Sequence, residues 1–165
     1  MKTGIFIGVA ALGFALFGVA DAHSWWHSGP DISQRISGSN FIVGFNEDTG
    51  QFTVLVNAIA KGPRGTAHHD VRAVVGPMGP YDRCANGYGG DLSQVWVQTY
   101  RDGSLLSGVT DEGQFACQSG AVSETYVTGT LTGGTGRFEG VSGTWEAEGY
   151  GEGNLTTSTL TAEFD

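Results

Sequence analysis

The sequence predicts an all-β protein, an antiparallel closed β-barrel of about eight strands, and three observations carry that prediction. Apolar residues recur with a period of two, as where Val141, Gly143, Trp145 and Ala147 alternate with Ser142, Thr144, Glu146 and Glu148. Such alternation marks a strand with one buried face. Turn signals separate these runs at intervals of about 8 to 12 residues, the spacing of short strands in a sandwich or barrel. Finally, 28 glycines accompany only four prolines, about 17% against a usual share of roughly 7%. They fall between the alternating runs without a fixed period, so they read as turns, bulges and corners. Closure is favoured over an open sandwich because so many Thr-rich, two-sided strands would make poor free edges.

In chain order, Lys2 precedes an apolar run from Gly4 to Ala20, and Ala20-Asp21-Ala22 supplies small residues where a signal peptidase cuts. Residues 1–22 are therefore expected to be a secretory leader, with His23 as the first mature residue. Removing 22 residues from 165 leaves 143, enough for one domain with its own core. The formal charge of −9 excludes nucleic acid and anionic membrane surfaces as partners, since both require a basic face. No membrane span remains once the leader is cleaved, and the location expected is secreted or periplasmic.

Residues 23–39, HSWWHSGPDISQRISGS, show no sustained period and contain the breaker Gly29-Pro30, so they are expected to form an irregular arm before a barrel at 40–165. Trp25 and Trp26 within it are expected to plug one end of the barrel or pack outside it, with sugar stacking as the alternative. Phe41, Val43 and Phe45 then alternate with polar residues and glycine, Asp48-Thr49-Gly50 turns the chain, and Phe52, Val54, Val56, Ala58 and Ala60 return. That is a hairpin with one apolar face. After the loop at 61–65, Ala67, His69, Val71, Ala73 and Val75 share a phase, which puts His69 on the apolar side and His68 on the other.

Residues 76–90 are too rich in Gly and Pro for regular structure and carry Cys84. In the next strand Val95 and Val97 oppose Trp96 and Tyr100, so both faces carry bulk, and the outer one is expected to lie under the arm or the long loop. Asp102-Gly103 is the strongest two-residue hairpin signal in the chain. Cys117 shares the phase of Phe115 and is expected to point inward with it. Cys84 and Cys117 are the only cysteines. In an exported chain they are expected to pair, closing a loop of about 33 residues and adding roughly 3 to 4 kcal/mol by the chain-entropy argument. The hairpin of residues 129–149 follows, and Leu160, Ala162 and Phe164 mark a last strand able to close the barrel.

The run Gly133-Gly134-Thr135-Gly136-Arg137-Phe138-Glu139-Gly140 resembles the late hairpin of the allene oxide cyclase and dirigent-like barrels and of small exported calycin-like proteins. The likeness extends to Asp91-Leu92-Ser93, Asp102-Gly103-Ser104 and the two cysteines, roughly the last half of the mature chain. It implies an eight-stranded barrel with an interior cavity. Members include cyclases that fold a reactive lipid inside the barrel and dirigent proteins that steer radical coupling without redox chemistry. No catalytic residue of either group aligns with this chain, and in those proteins the hairpin is structural. Gly134, Gly136, Arg137, Phe138 and Gly140 are accordingly read as a structural turn, with Arg137 fixing it through a carboxylate or carbonyls.

The expected function is binding of an apolar or aromatic small molecule in the barrel, against Phe41, Phe45, Phe52 and Phe115. The alternative is a cyclase or isomerase with His69 as acid, base or hydrogen-bond donor. A lesser alternative is copper at the mature N-terminus, through the amine and ring of His23, with His27 and His68 as further ligands. Glu139, Glu146, Glu148, Glu152 and Glu163 alternate outward with Thr and Ser and read as an edge kept soluble. No motif calls for a cofactor: Gly134-Thr135-Gly136 precedes no helix able to hold a phosphate, and the cysteine spacing is not that of a metal site. Asn154-Leu155-Thr156 is a glycosylation sequon, used only in a host that glycosylates exports.

Overall fold

The computed structural model describes residues 31–165. The leader, His23, His27, the Trp25-Trp26 pair and the first part of the expected arm lie outside the described residues. Ten strands follow one another: β1 (Ile32–Asn46), β2 (Gln51–Gly62), β3 (Gly65–Val75), β4 (Gly79–Pro80), β5 (Tyr88–Tyr100), β6 (Leu105–Thr110), β7 (Phe115–Ser119), β8 (Val122–Gly134), β9 (Gly143–Glu152) and β10 (Leu155–Phe164). A single 3-10 turn, Gly136–Phe138, sits between β8 and β9. Every pairing is antiparallel, and the sheet closes where β3 pairs with β5. The first and last strands are also neighbours, in register from Ile32 opposite Ala162 to Ser39 opposite Leu155.

The barrel has eight strand positions. β6 and β7 share one of them: both lie between β5 and β8, β6 against Val95–Thr99 and β7 against Gly89–Asp91, with a break at 111–114. β4 is a two-residue spur on β5.

Residues 32–39 are strand and not the irregular arm expected of them. Their inward phase reads Ile32, Gln34, Ile36, Gly38, so a polar side chain and a glycine conceal the period. The glycine is required, because a Cβ at Gly38 would stand 2.2 Å from the Asn57 carbonyl oxygen and 2.5 Å from the Ala58 Cα. In β5 Trp96, Gln98 and Tyr100 point inward, and Val95 and Val97 on the outer face are exposed rather than covered as expected. One assignment of face is corrected. In β7 the inward residue is Ala116; Phe115 and Cys117 lie on the outer wall. There the long loop folds back over them, with the Arg83 guanidinium 4.0 Å from the Phe115 ring centroid and Tyr81 stacked on Phe115 at 5.7 Å. Cys84 and Cys117 are disulfide-bonded, which fastens this loop to the barrel.

The two ends of the barrel differ. At one end Phe138, 1% exposed, drops between the rings of Tyr100 and Phe164, at centroid distances of 4.9 and 6.4 Å. Gly134 and Gly136 let the signature turn reach this position: a Cβ on Gly134 would meet Phe138 Cβ at 2.6 Å, and Gly136 has φ +61° with Ser104 Oγ beside it. Arg137 closes over the top. It donates to the Arg64 carbonyl at 3.0 Å, faces Asp102 at 3.7 Å, and lies 4.3 Å from the Tyr100 ring centroid. Gly140 takes φ +76° where the chain turns back toward β9. The opposite end, rimmed by the turns at 47–50, 119–122 and 153–154 and by the loop after β3, opens into the barrel.

Candidate functional site

The open end leads to a cavity of about 300 Å³. Its existence follows from the inward phase of each strand. Near the sealed end, β8, β9 and β10 point Val127, Leu131, Trp145, Leu160 and Ala162 inward, and these fill the barrel. Toward the mouth the same phases read Ser123, Thr125, Gly149, Gly151, Thr156 and Ser158, side chains too small to meet across it. The facing wall, from β2, β3 and β5, is aliphatic: Val54, Val56, Val71, Ala73, Val75 and Leu92. One side of the cavity is thus hydrocarbon and the other is hydroxyl and bare backbone. Met78, from the loop after β3, lines it near the rim.

His69 and Trp96 line its inner part, their rings 5.7 Å apart. Beneath them lies a closed polar ring. Gln34 Nε2 donates to the Tyr100 hydroxyl at 3.0 Å, that hydroxyl donates to Gln98 Oε1 at 2.8 Å, and Gln98 Nε2 donates to Gln34 Oε1 at 2.6 Å. Gln98 Nε2 also approaches His69 Nδ1 at 3.2 Å. All four residues are buried, His69 at 5% exposure, and the mutual bonds offset the cost of taking their polar atoms out of water. Burial of the imidazole lowers its pKa to about 4 from the usual 6.5, so the ring is neutral at neutral pH. The Trp96 indole N–H, by contrast, is sealed with no partner among the described residues.

Of the aromatic residues expected to meet a ligand, only Phe52 lines this cavity. Phe41 belongs to the outward phase of β1, opposite Leu55, and is 48% exposed. Phe45 follows a bulge between Ile42 and Gly44 that brings it opposite Phe52 at the rim, where it is 65% exposed and does not line the cavity. The alternation of Phe41, Val43 and Phe45 does not hold as a single face: Phe41 belongs to the outside of the barrel, Ile42 lines the cavity instead, and the bulge takes Phe45 out of the phase of Phe41. Phe115 lies on the outer wall, bordering an open external groove of about 940 Å³ with Tyr126, Tyr150, Glu148, Arg35 and Lys61.

His68 is exposed on the outer face, away from His69. Among the described residues no three His, Cys, Asp or Glu side chains converge as a metal site. Glu139, Glu146, Glu148, Glu152 and Glu163 are exposed; Glu146 accepts from the Tyr126 and Thr161 hydroxyls at 3.2 and 3.1 Å. Gln34 and Gln98, which hold His69 through the polar ring, are the residues of this candidate site hardest to find in the sequence. Their signal was their phase, since each is a polar residue in line with apolar neighbours of a strand. No helix of the described residues is long and apolar enough to cross a membrane. No family model matches this chain, and neither a curated protein nor a solved structure matches it.

Proposed function

We propose that this protein is an exported carrier that holds an apolar or aromatic small molecule in the barrel. The observation that carries the reading is the cavity itself, open at one end, sealed at the other, and walled on one side by valine, alanine and leucine. A volume of about 300 Å³ stands at the lower end of the range of ligand pockets. Export is supported by the expected leader and by a disulfide of the kind that persists in oxidising compartments. The resemblance to allene oxide cyclase and dirigent-like barrels fits a cavity protein and adds no catalytic residue.

His69 favours binding over the cyclase or isomerase reading. It is neutral and hydrogen-bonded to an amide, with no carboxylate among its hydrogen-bond partners, so it is fitted to orient a ligand rather than to exchange protons at neutral pH. Native mass spectrometry of protein purified from its own host tests the proposal. A bound organic molecule, released on unfolding, is the expected result; protein that carries none and binds no hydrophobic probe overturns it.

A further inference from the structure

We infer that the ligand presents a hydrogen-bond acceptor, a carbonyl or ether oxygen, to the Nε2–H of His69 at the inner end of the cavity. The inference rests on the carrier reading and adds to it the chemical class of the guest. It starts from the polar ring beneath the cavity. An amide nitrogen has two hydrogens. Gln98 gives one to Gln34 Oε1 at 2.6 Å and the other to His69 Nδ1 at 3.2 Å, while its oxygen accepts from Tyr100. Because Nδ1 accepts, a neutral imidazole must carry its proton on Nε2.

That N–H has no protein partner among the described residues, and it is not among their sealed polar atoms, so it remains accessible on the inner face of the barrel. His69 is a cavity-lining residue and Gln98 is not, which leaves the ring edge away from Gln98 turned to the cavity. A pure hydrocarbon seated there would strip water from the N–H and return nothing, a cost that selects against it. A guest with an acceptor oxygen at one end and an aromatic or aliphatic body would satisfy His69 and still cover the valine wall.

The test is a matched pair of probes, benzophenone and diphenylmethane, which differ in replacing a carbonyl with a methylene. Titration followed by tryptophan fluorescence should show the ketone binding about fivefold to tenfold more tightly, the worth of one net hydrogen bond. The preference should vanish in His69→Leu. Should that variant fail to fold, the nitrogen chemical shifts of the histidine ring in the native protein decide: a proton on Nε2 is required, and one on Nδ1 overturns the inference. Equal binding of both probes by the native protein also overturns it and leaves the carrier reading standing. If neither binds, both fall.

Discussion

The guanidinium carbon of Arg137 lies 4.3 Å from the centroid of the Tyr100 ring, and the hydroxyl of the same tyrosine belongs to the buried polar ring that holds His69. One side chain therefore links the sealed end of the barrel to the inner end of the cavity. Arg137→Ala is expected to destabilise the fold by about 1 kcal/mol. This loss comes from the cation–π contacts with Tyr100 and Phe138, the partly exposed ion pair to Asp102 contributing little. Urea unfolding measures it. Arg137→Lys should recover only part, since an ammonium cannot lie flat on the ring while reaching the Arg64 carbonyl. Full recovery by lysine would show that charge alone matters.

The two core tryptophans should respond differently to the same change. Trp145 Nε1 donates to the carbonyls of Val109 and Thr130, both at 3.1 Å, whereas Trp96 Nε1 is sealed without a partner. The rings meet edge to face at 5.6 Å, and both press on Gly108, where a Cβ would come within 2.7 Å of each. Phenylalanine removes similar volume at either site. Trp145→Phe is expected to cost about 1 kcal/mol more than Trp96→Phe, because only the former breaks satisfied hydrogen bonds. Equal unfolding free energies for the two variants would refute this assignment.

Acid should loosen the fold through His69. Its pKa is about 4 in the folded protein against the 6.5 of a free histidine side chain, so the unfolded chain takes up the proton first as pH falls. Above pH 6.5 the group leaves stability unchanged. Between 6.5 and about 4 stability declines, and below that the loss levels off at roughly 3 kcal/mol, as linkage requires for a shift of this size. Comparison of urea midpoints across this window in the native protein and in His69→Gln checks the expectation. The glutamine variant should lose that part of the slope, and an unchanged slope would place the titration elsewhere.

Much of the barrel was legible in the sequence because its turns are chemically explicit. Asp102-Gly103 turns β5 into β6 with Gly103 at φ +81°, and Asp48-Thr49-Gly50 turns β1 into β2. The faces were harder. A period of two states that alternate residues differ but not which set looks inward, and Phe41 and Val95 show that a barrel can wear its larger apolar side chains outside. The bulge after Ile42 moves Phe45 relative to its pattern, and no local residue type announced it. The site was least visible, since it is made by small residues. Ser123, Gly149 and Ser158 matter for what they leave open, and their roles emerge only when three strands are laid side by side.

The pairing of β1 with β10 ties together residues far apart in the chain, down to Asp31 Oδ2 accepting from the Phe164 N–H across 133 positions. Until the final strand is made, β1 and β9 each keep a bare row of hydrogen-bonding groups, and the cavity has no complete wall. Closure therefore waits for β10 and comes as a slow, non-local step. A chain that stops short of Leu155 would expose two unpaired strand edges and become an aggregation seed in place of a smaller barrel.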